Sequence, residues 1–153
     1  MEEQSMNLQK FDQAVLEGKV AWWQMELPSG DVFFGQTKTD MLGYSEEDFN
    51  HYQDFTELIH SDDHKDTMQA MRDHLEGKKD LYETVYRIKA QNGEYIKFYD
   101  LGQILEKTED KTTVIGFVMK VKEEEDIFQQ MEDFKKLILK GKPSMMELVK
   151  QIK

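Results

Sequence analysis

Residues 81–121 constrain the fold of this chain most strongly, because they predict three consecutive strands. LYETVYRIKA alternates its side chains between two faces and is rich in aromatic and β-branched residues, which favours a strand over a helix. Asn92-Gly93 follows, and both residues tolerate the positive φ of a type I′ hairpin turn. EYIKFYDLGQILEK and TTVIGFVMKV complete an antiparallel meander, in which Gly102 marks a bulge or a close backbone approach.

The rest of the chain supplies a hairpin and several helices around this meander. VAWWQMEL and VFFG flank the turn Pro28-Ser29-Gly30-Asp31, and short helical pieces follow. A longer helix begins at His60 or Ser61 and stops at Gly77. This order predicts an α+β fold, a five-stranded antiparallel sheet with small helices and one longer helix on one face, flanked by N- and C-terminal helices. The expected units are a flanking helix (1–18), the main domain (19–122) and output or linker helices (123–153).

Five short motifs occur in a defined order: Trp22-Trp23, Met41-Leu42-Gly43-Tyr44, His60-Ser61-Asp62-Asp63, Val85-Tyr86-Arg87 and Asn92-Gly93-Glu94-Tyr95. Together they resemble a PAS domain of the signalling subgroup over about residues 19–122. Three features depart from that pattern: Ser61 replaces a proline, Lys97 replaces a tryptophan, and Lys120-Val121-Lys122 replaces a D-I-T triplet. The resemblance implies a sensory, non-enzymatic module of a signal-transduction protein, such as a histidine kinase of a two-component system. It would bind a small molecule or partner and pass the change to a C-terminal helix.

Charge and composition exclude several other classes of function. The net charge of −11 disfavours nucleic acid and anionic membranes, because phosphate contacts require clustered Lys and Arg. No apolar run approaches the roughly 20 residues of a membrane span. The chain has no cysteine, which removes disulfides, thiolate metal sites and a flavin–cysteine adduct, and fits a cytoplasmic location.

Aromatic, methionine and polar positions on the predicted inner faces are the candidates for a ligand pocket. Both a closed core and a cavity between the sheet and the longer helix fit the pattern. Strict alternation prevents Tyr86 and Arg87 from both facing inward. The candidates are Trp23, Met25, Phe33, Leu42, Tyr44, Phe55, Met68, Met71, Tyr86, Arg87, Phe98 and Val118.

Neither a metal nor a cofactor is predicted. HSDDH (60–64) reads as a helix cap, although it also contains metal-ligand residue types. His64 and His74 lie on the longer helix, where some PAS domains hold haem. No nucleophile elbow or Gly-rich phosphate loop is present. A ligand-free dimerisation module and a small enzyme that uses the cavity are the alternatives to a sensor.

Two apolar stripes predict a parallel homodimer through the terminal helices. Phe11 and Val15 lie on the first helix and have no obvious place in the core. The last long helix, expected to begin near Glu123, carries Ile127, Met131, Phe134 and Ile138 at helical spacing.

Overall fold

The computed structural model describes residues 20–139. Its centre is a five-stranded antiparallel sheet in the order β2-β1-β5-β4-β3. The strands are β1 (Val20–Leu27), β2 (Val32–Phe34), β3 (Tyr82–Lys89), β4 (Tyr95–Lys107) and β5 (Thr112–Lys120). The predicted hairpin, meander and α+β architecture are therefore confirmed.

The β3–β4 connection differs from the predicted type I′ turn. Gly93 has a φ of 90°, but no non-glycine residue in 20–139 has a positive φ, so Asn92 does not. The Asn92 side chain instead accepts a hydrogen bond of 2.9 Å from the backbone N of Glu94. The backbone N of Ala90 donates a further hydrogen bond of 2.8 Å to the carbonyl of Glu94, which leaves a loop of residues 91–93, one residue longer than a two-residue turn. An asparagine side chain that bonds its own backbone two residues on gives the loop an alternative to positive φ.

Three helices follow the β1–β2 hairpin, and a short 3-10 segment, Glu46–Asp48, lies between the first and the second of them. The helices are α1 (Gln36–Leu42), α2 (Tyr52–Thr56) and α3 (Ser61–Leu75). His60 is the cap of α3, because its Nδ1 accepts a hydrogen bond of 3.1 Å from the backbone N of Asp62. These helices and the inner face of the sheet share one buried apolar cluster that includes Trp23, Leu42, Phe55, Tyr86 and Phe98.

The fourth helix, α4 (Ile127–Leu139), lies on the opposite, outer face of the sheet. It begins later than the sequence predicted, because Asp126 Oδ1 accepts a hydrogen bond of 2.9 Å from the backbone N of Phe128. Phe134 and Ile138 are buried against an outer face that is itself apolar: Val20, Trp22, Tyr99, Leu101, Ile115 and Phe117.

The expectation that the α4 stripe is free for a partner subunit therefore needs correction. Ile127, Met131, Phe134 and Ile138 all pack on the chain's own sheet, because an exposed apolar sheet face gains free energy by being covered. The first helix with Phe11 and Val15, and the segment after Leu139, lie outside the described residues. The homodimer itself stays a prediction.

Candidate functional site

A cavity of about 230 Å³ lies between the inner face of the sheet and helices α1–α3. The closed-core alternative is therefore not what the structure shows. Most of the lining is apolar, from β1 and β2, from α2 and α3, and from β3. The apolar and aromatic lining residues are Trp23, Met25, Leu27, Val32, Tyr52, Phe55, Ile59, Met68, Met71, Leu75, Tyr82, Tyr86 and Ile88. Such a space, walled by methionine and aromatic side chains, suits a small apolar body.

Half of the predicted pocket residues line this cavity: Trp23, Met25, Phe55, Met68, Met71 and Tyr86. Leu42, Phe98 and Val118 do not line it, although they are buried in the same inner core. Alternation therefore predicts the inner face correctly for Phe98 and Val118, but neither these two residues nor Leu42 on α1 contacts the open space.

Three other predicted pocket residues point elsewhere. Phe33 pairs with Gln24 across the hairpin and is 48% exposed, since this register turns it to the outer side of the sheet. The hydroxyl of Tyr44 donates a hydrogen bond of 2.9 Å to the backbone carbonyl of Lys89. Arg87 lies on the sheet edge and forms a two-point ion pair with Asp63 at 2.8 and 3.0 Å. That pair lowers the pKa of Asp63, chiefly through the side-chain hydrogen bond from Arg87.

Asp100 forms the polar end of the cavity and is only 3% exposed. Trp23 Nε1 donates to its Oδ1 at 2.7 Å, and the Tyr86 hydroxyl donates to its Oδ2 at 2.8 Å. Burial raises the pKa of Asp100 to about 6, although Lys38 and the two donors act in the opposite direction. The effect of desolvation on the pKa outweighs the effects of the two neutral donors. The pKa of this buried carboxyl therefore lies close to neutral pH.

Lys38 is the second buried charged residue of the cavity and is 5% exposed. Its Nζ lies 3.8 Å from the centre of the Phe55 ring and 5.7 Å from the Trp23 ring, both within cation–π range. Burial lowers the pKa of Lys38 to about 8, while Asp100 partly offsets the change. The amine is therefore mostly charged at neutral pH.

Sequence reasoning missed both charged residues. Lys38 lies in QTKTDML, which reads as an ordinary exposed helix turn, so nothing in its pattern gave a signal. Asp100 is different, because alternation in β4 places it on the same face as Phe98 and Gly102. An acid on the inner face of a predicted strand was a signal that could have found it.

Two glycines allow the Trp23 indole to lie flat across the inner face. Trp23, Gly116, Gly102 and Tyr82 form one row across four strands. A Cβ at Gly116 would overlap the indole, and one at Gly102 would lie 3.1 Å from it. The close approach predicted at Gly102 is confirmed, whereas the irregularity in pairing falls between Ile104 and Glu106. Tyr82 meets the far end of the indole edge-on, with ring centres 5.9 Å apart.

A family model described as "PAS fold" matches residues 31–118, which is more than half of the chain. The chain belongs to the PAS fold family. The match spans the helices α1–α3 and the strands from β2 into β5, whereas β1, which also lines the cavity, precedes it. No curated protein sequence matches the chain.

Solved structures share the architecture of this PAS domain at low sequence identity. A sensory box histidine kinase/response regulator from Burkholderia thailandensis is 21% identical with a TM-score of 0.61, covering 92% of this chain and 98% of its own. The N-terminal domain of a Marinobacter aquaeolei diguanylate cyclase with PAS/PAC sensor is 17% identical, with a TM-score of 0.60 and coverages of 67% and 94%. The Drosophila melanogaster Cycle PAS-B domain with bound ethylene glycol is 15% identical, with a TM-score of 0.57 and coverages of 66% and 99%.

The histidines of the PAS domain do not face the cavity. His64 is exposed on α3. His74 is buried, with Nδ1 3.0 Å from the carbonyl of Lys79 and Nε2 accepting from the backbone N of Ile104 at 3.0 Å. Within residues 20–139, no three acidic or histidine side chains form a group able to hold a metal. The prediction of no cofactor stays a prediction, and no helix in this range could cross a membrane.

Polar contacts on the outer face join the PAS sheet to α4. The Tyr99 hydroxyl donates a short hydrogen bond to the Glu83 carboxylate, and Lys135 Nζ of α4 lies 3.1 Å from the same carboxylate. Burial, followed by the bond to Glu83, raises the pKa of Tyr99. The Tyr99 ring also meets Phe134 with centres 5.7 Å apart. Tyr99 is thus in contact with α4 directly and through Glu83.

Proposed function

We propose that this PAS domain is a cytoplasmic sensory module that holds a small molecule in its cavity. Occupancy changes the sheet and is passed to α4, and from there to a downstream signalling domain or protein, such as a histidine kinase. The kinds of protein with the same fold support this proposal, since they include a sensory box histidine kinase and a diguanylate cyclase. The Cycle PAS-B structure, with bound ethylene glycol, is a further point of support.

The adjacency of Asp100 and Tyr99 in β4 carries the proposal. Successive strand residues face opposite sides of a sheet, so Asp100 lines the cavity and Tyr99 contacts α4. A ligand that moves Asp100, or changes its charge, acts on a residue bonded directly to Tyr99. Tyr99 then shifts relative to Phe134 and to the Glu83–Lys135 pair, which are two of the contacts between the sheet and α4.

Two measurements on the full chain test this role. Native mass spectrometry of the purified protein is expected to show a co-purified small molecule, or a free chain that takes up one equivalent of an added ligand. Hydrogen exchange of the α4 amides, measured with the cavity occupied and empty, is expected to differ at Ile127–Leu139. Uptake without any change in α4 exchange would contradict the coupling, and failure of every small molecule to enter the cavity would contradict the sensory role.

A catalytic role is the second candidate, because Lys38 is a buried amine of lowered pKa beside a buried acid. Amines desolvated in apolar sites react with carbonyl compounds to form imines with loss of water. Propanal with borohydride tests this, because hydride reduction fixes an imine as a secondary amine. Labelling of Lys38 ahead of the surface lysines at neutral pH would support an enzyme. Uniform labelling of exposed lysines would favour the sensor. The ligand-free dimerisation module has less support, because the core contains a cavity.

A further inference from the structure

We propose that the cavity selects a small organic monocarboxylate, with its carboxylate on Lys38 and an apolar body of about one ring among the methionines. This inference rests on the proposed sensory function and narrows it to a chemical class. It follows from an unmet hydrogen-bonding need, from the charges around the cavity and from its size.

The ammonium group of Lys38 has three N–H donors. Among residues 20–139, no oxygen accepts a hydrogen bond from them. Its contacts there are the faces of Phe55 and Trp23. A buried ammonium without an acceptor is costly, and ammonium–carboxylate hydrogen bonds are among the strong ones. An acceptor atom of a bound ligand would provide the hydrogen-bond partner that Lys38 lacks among the described residues.

Asp100 does not meet this need. No ion pair joins it to Lys38 in the described part of the chain, and its two oxygens already accept from Trp23 and Tyr86. The carboxylate therefore accepts hydrogen bonds from donors of the sheet. The amine on α1 contacts ring faces and is attracted by the charge of Asp100, but it donates no side-chain hydrogen bond within residues 20–139. A ligand with an acceptor at the Lys38 end and an apolar remainder matches this asymmetry.

The charges around the cavity favour one negative charge. Of its lining residues, Lys38 and Arg72 are cationic and Asp100 is the single carboxylate. Arg72 is exposed on α3, where it donates 2.9 Å to the side chain of Gln69, so it stands at the rim. The chain as a whole has a net charge of −11, but two cations and one carboxylate give the lining of this cavity a net positive charge, which attracts an anion.

Size limits the apolar part. An engineered apolar cavity of about 150 Å³ holds benzene, and this cavity measures about 230 Å³. A single ring with a short carboxylate-bearing arm fits this space. A long-chain fatty acid does not.

Phenylacetate, its neutral amide phenylacetamide, the cation phenethylamine and the C12 acid dodecanoate are the probes. Binding to the full chain is measured by calorimetry at neutral pH, and Met68 and Met71 ε-methyl NMR shifts locate the probe. We expect phenylacetate to bind at least about tenfold tighter than phenylacetamide, because only the acid brings a full negative charge to the ammonium of Lys38. Phenethylamine and dodecanoate should not shift the methionine signals.

Lys38→Met keeps the length of the side chain and removes its charge. It should abolish the preference, so that phenylacetate and phenylacetamide bind equally. Arg72→Gln, at an exposed position, covers the case in which Lys38→Met does not fold. It should weaken phenylacetate binding a few-fold and leave phenylacetamide binding unchanged.

The outcomes separate the two proposals. If phenylacetamide or phenethylamine binds in the cavity as tightly as phenylacetate, the carboxylate class is wrong and the sensory function stands. If Lys38→Met retains the full preference for phenylacetate, the assigned role of Lys38 is wrong. If no probe of any charge shifts the methionine signals, both the class and the sensory function fail.

Discussion

Trp23 on β1 and Asp100 on β4 are joined by a hydrogen bond of 2.7 Å that passes over the intervening strand β5. The bond is possible because Gly116 of β5 has no Cβ to separate the indole from the sheet. The same indole forms one wall of the cavity and supplies one of the two donors that hold its buried carboxylate. The same residue therefore contributes both to the pairing of the sheet and to the wall of the cavity.

Trp23→Phe should reduce the free energy of unfolding more than Trp22→Phe does. Both changes remove the same atoms from a buried tryptophan. The Trp22 Nε1 has no hydrogen-bond partner among residues 20–139, whereas Trp23 Nε1 bonds Asp100. Leaving a buried acceptor short of a donor costs about 1–3 kcal/mol, which is the expected difference in urea denaturation. Equal losses would show that the bond to Asp100 contributes nothing.

Asp100 should make stability fall between about pH 4 and pH 6. Its pKa is raised from 3.8 to about 6, so the folded state binds more protons than the unfolded chain between these values. Its stabilising contribution is present below the unfolded pKa and is lost as pH rises through the folded one. Lys38, which faces it, stays charged in this range, and the raised pKa values of Tyr82 and Tyr86 keep both tyrosines neutral.

The neutral variant Asp100→Asn isolates this effect from the other acids of the chain. The free energy of unfolding of the natural protein minus that of the variant should fall by up to about 3 kcal/mol from about pH 4 to pH 7. A difference that is flat or rises with pH would contradict a raised pKa.

Phe134→Ala should be strongly destabilising and Phe128→Ala nearly neutral. Phe134 is 4% exposed beneath α4, whereas Phe128 on the same helix is 77% exposed. Truncating a buried phenylalanine costs about 3–5 kcal/mol, and an exposed one changes stability by about 0.5 kcal/mol or less. Chemical denaturation of the two variants measures the contrast. Similar small effects would mean that α4 is not docked on the sheet in solution.

Met71→Trp should fill the cavity and abolish binding of phenylacetate. Because the added ring enters open space, the free energy of unfolding should change by less than about 1 kcal/mol, whereas overpacking a closed core costs about 1–3 kcal/mol. Met71→Leu, of similar volume, is the control and should keep binding. A large fall in melting temperature for Met71→Trp with binding retained in both variants would show that Met71 does not face the cavity.

Local rules recovered most of the fold. Alternation and turn chemistry predict the five strands and their inner faces, and cap chemistry restricts the cap of α3 to His60 or Ser61, of which His60 is the cap. Alternation alone does not reveal which inner residues meet open space, so it predicts Phe98 and Val118 as pocket residues although they do not line the cavity. It also does not identify what covers the outer face, so the apolar stripe with Phe134 predicts a partner surface although it packs on the chain's own sheet. Both depend on packing between segments distant in sequence, as does the burial of Lys38.

Because Asp100 and Tyr99 face opposite sides of the sheet, the proposed coupling depends on the register of β4. One inserted residue in this strand exchanges its two faces, turning a carboxylate toward α4 and a tyrosine into the cavity. Two inserted residues restore the faces but move Tyr99 away from Phe134 along the strand. Insertions should therefore be tolerated in the loops at either end of β4 but not within the strand, because the number of residues in the strand determines which side chains face the cavity and which face α4.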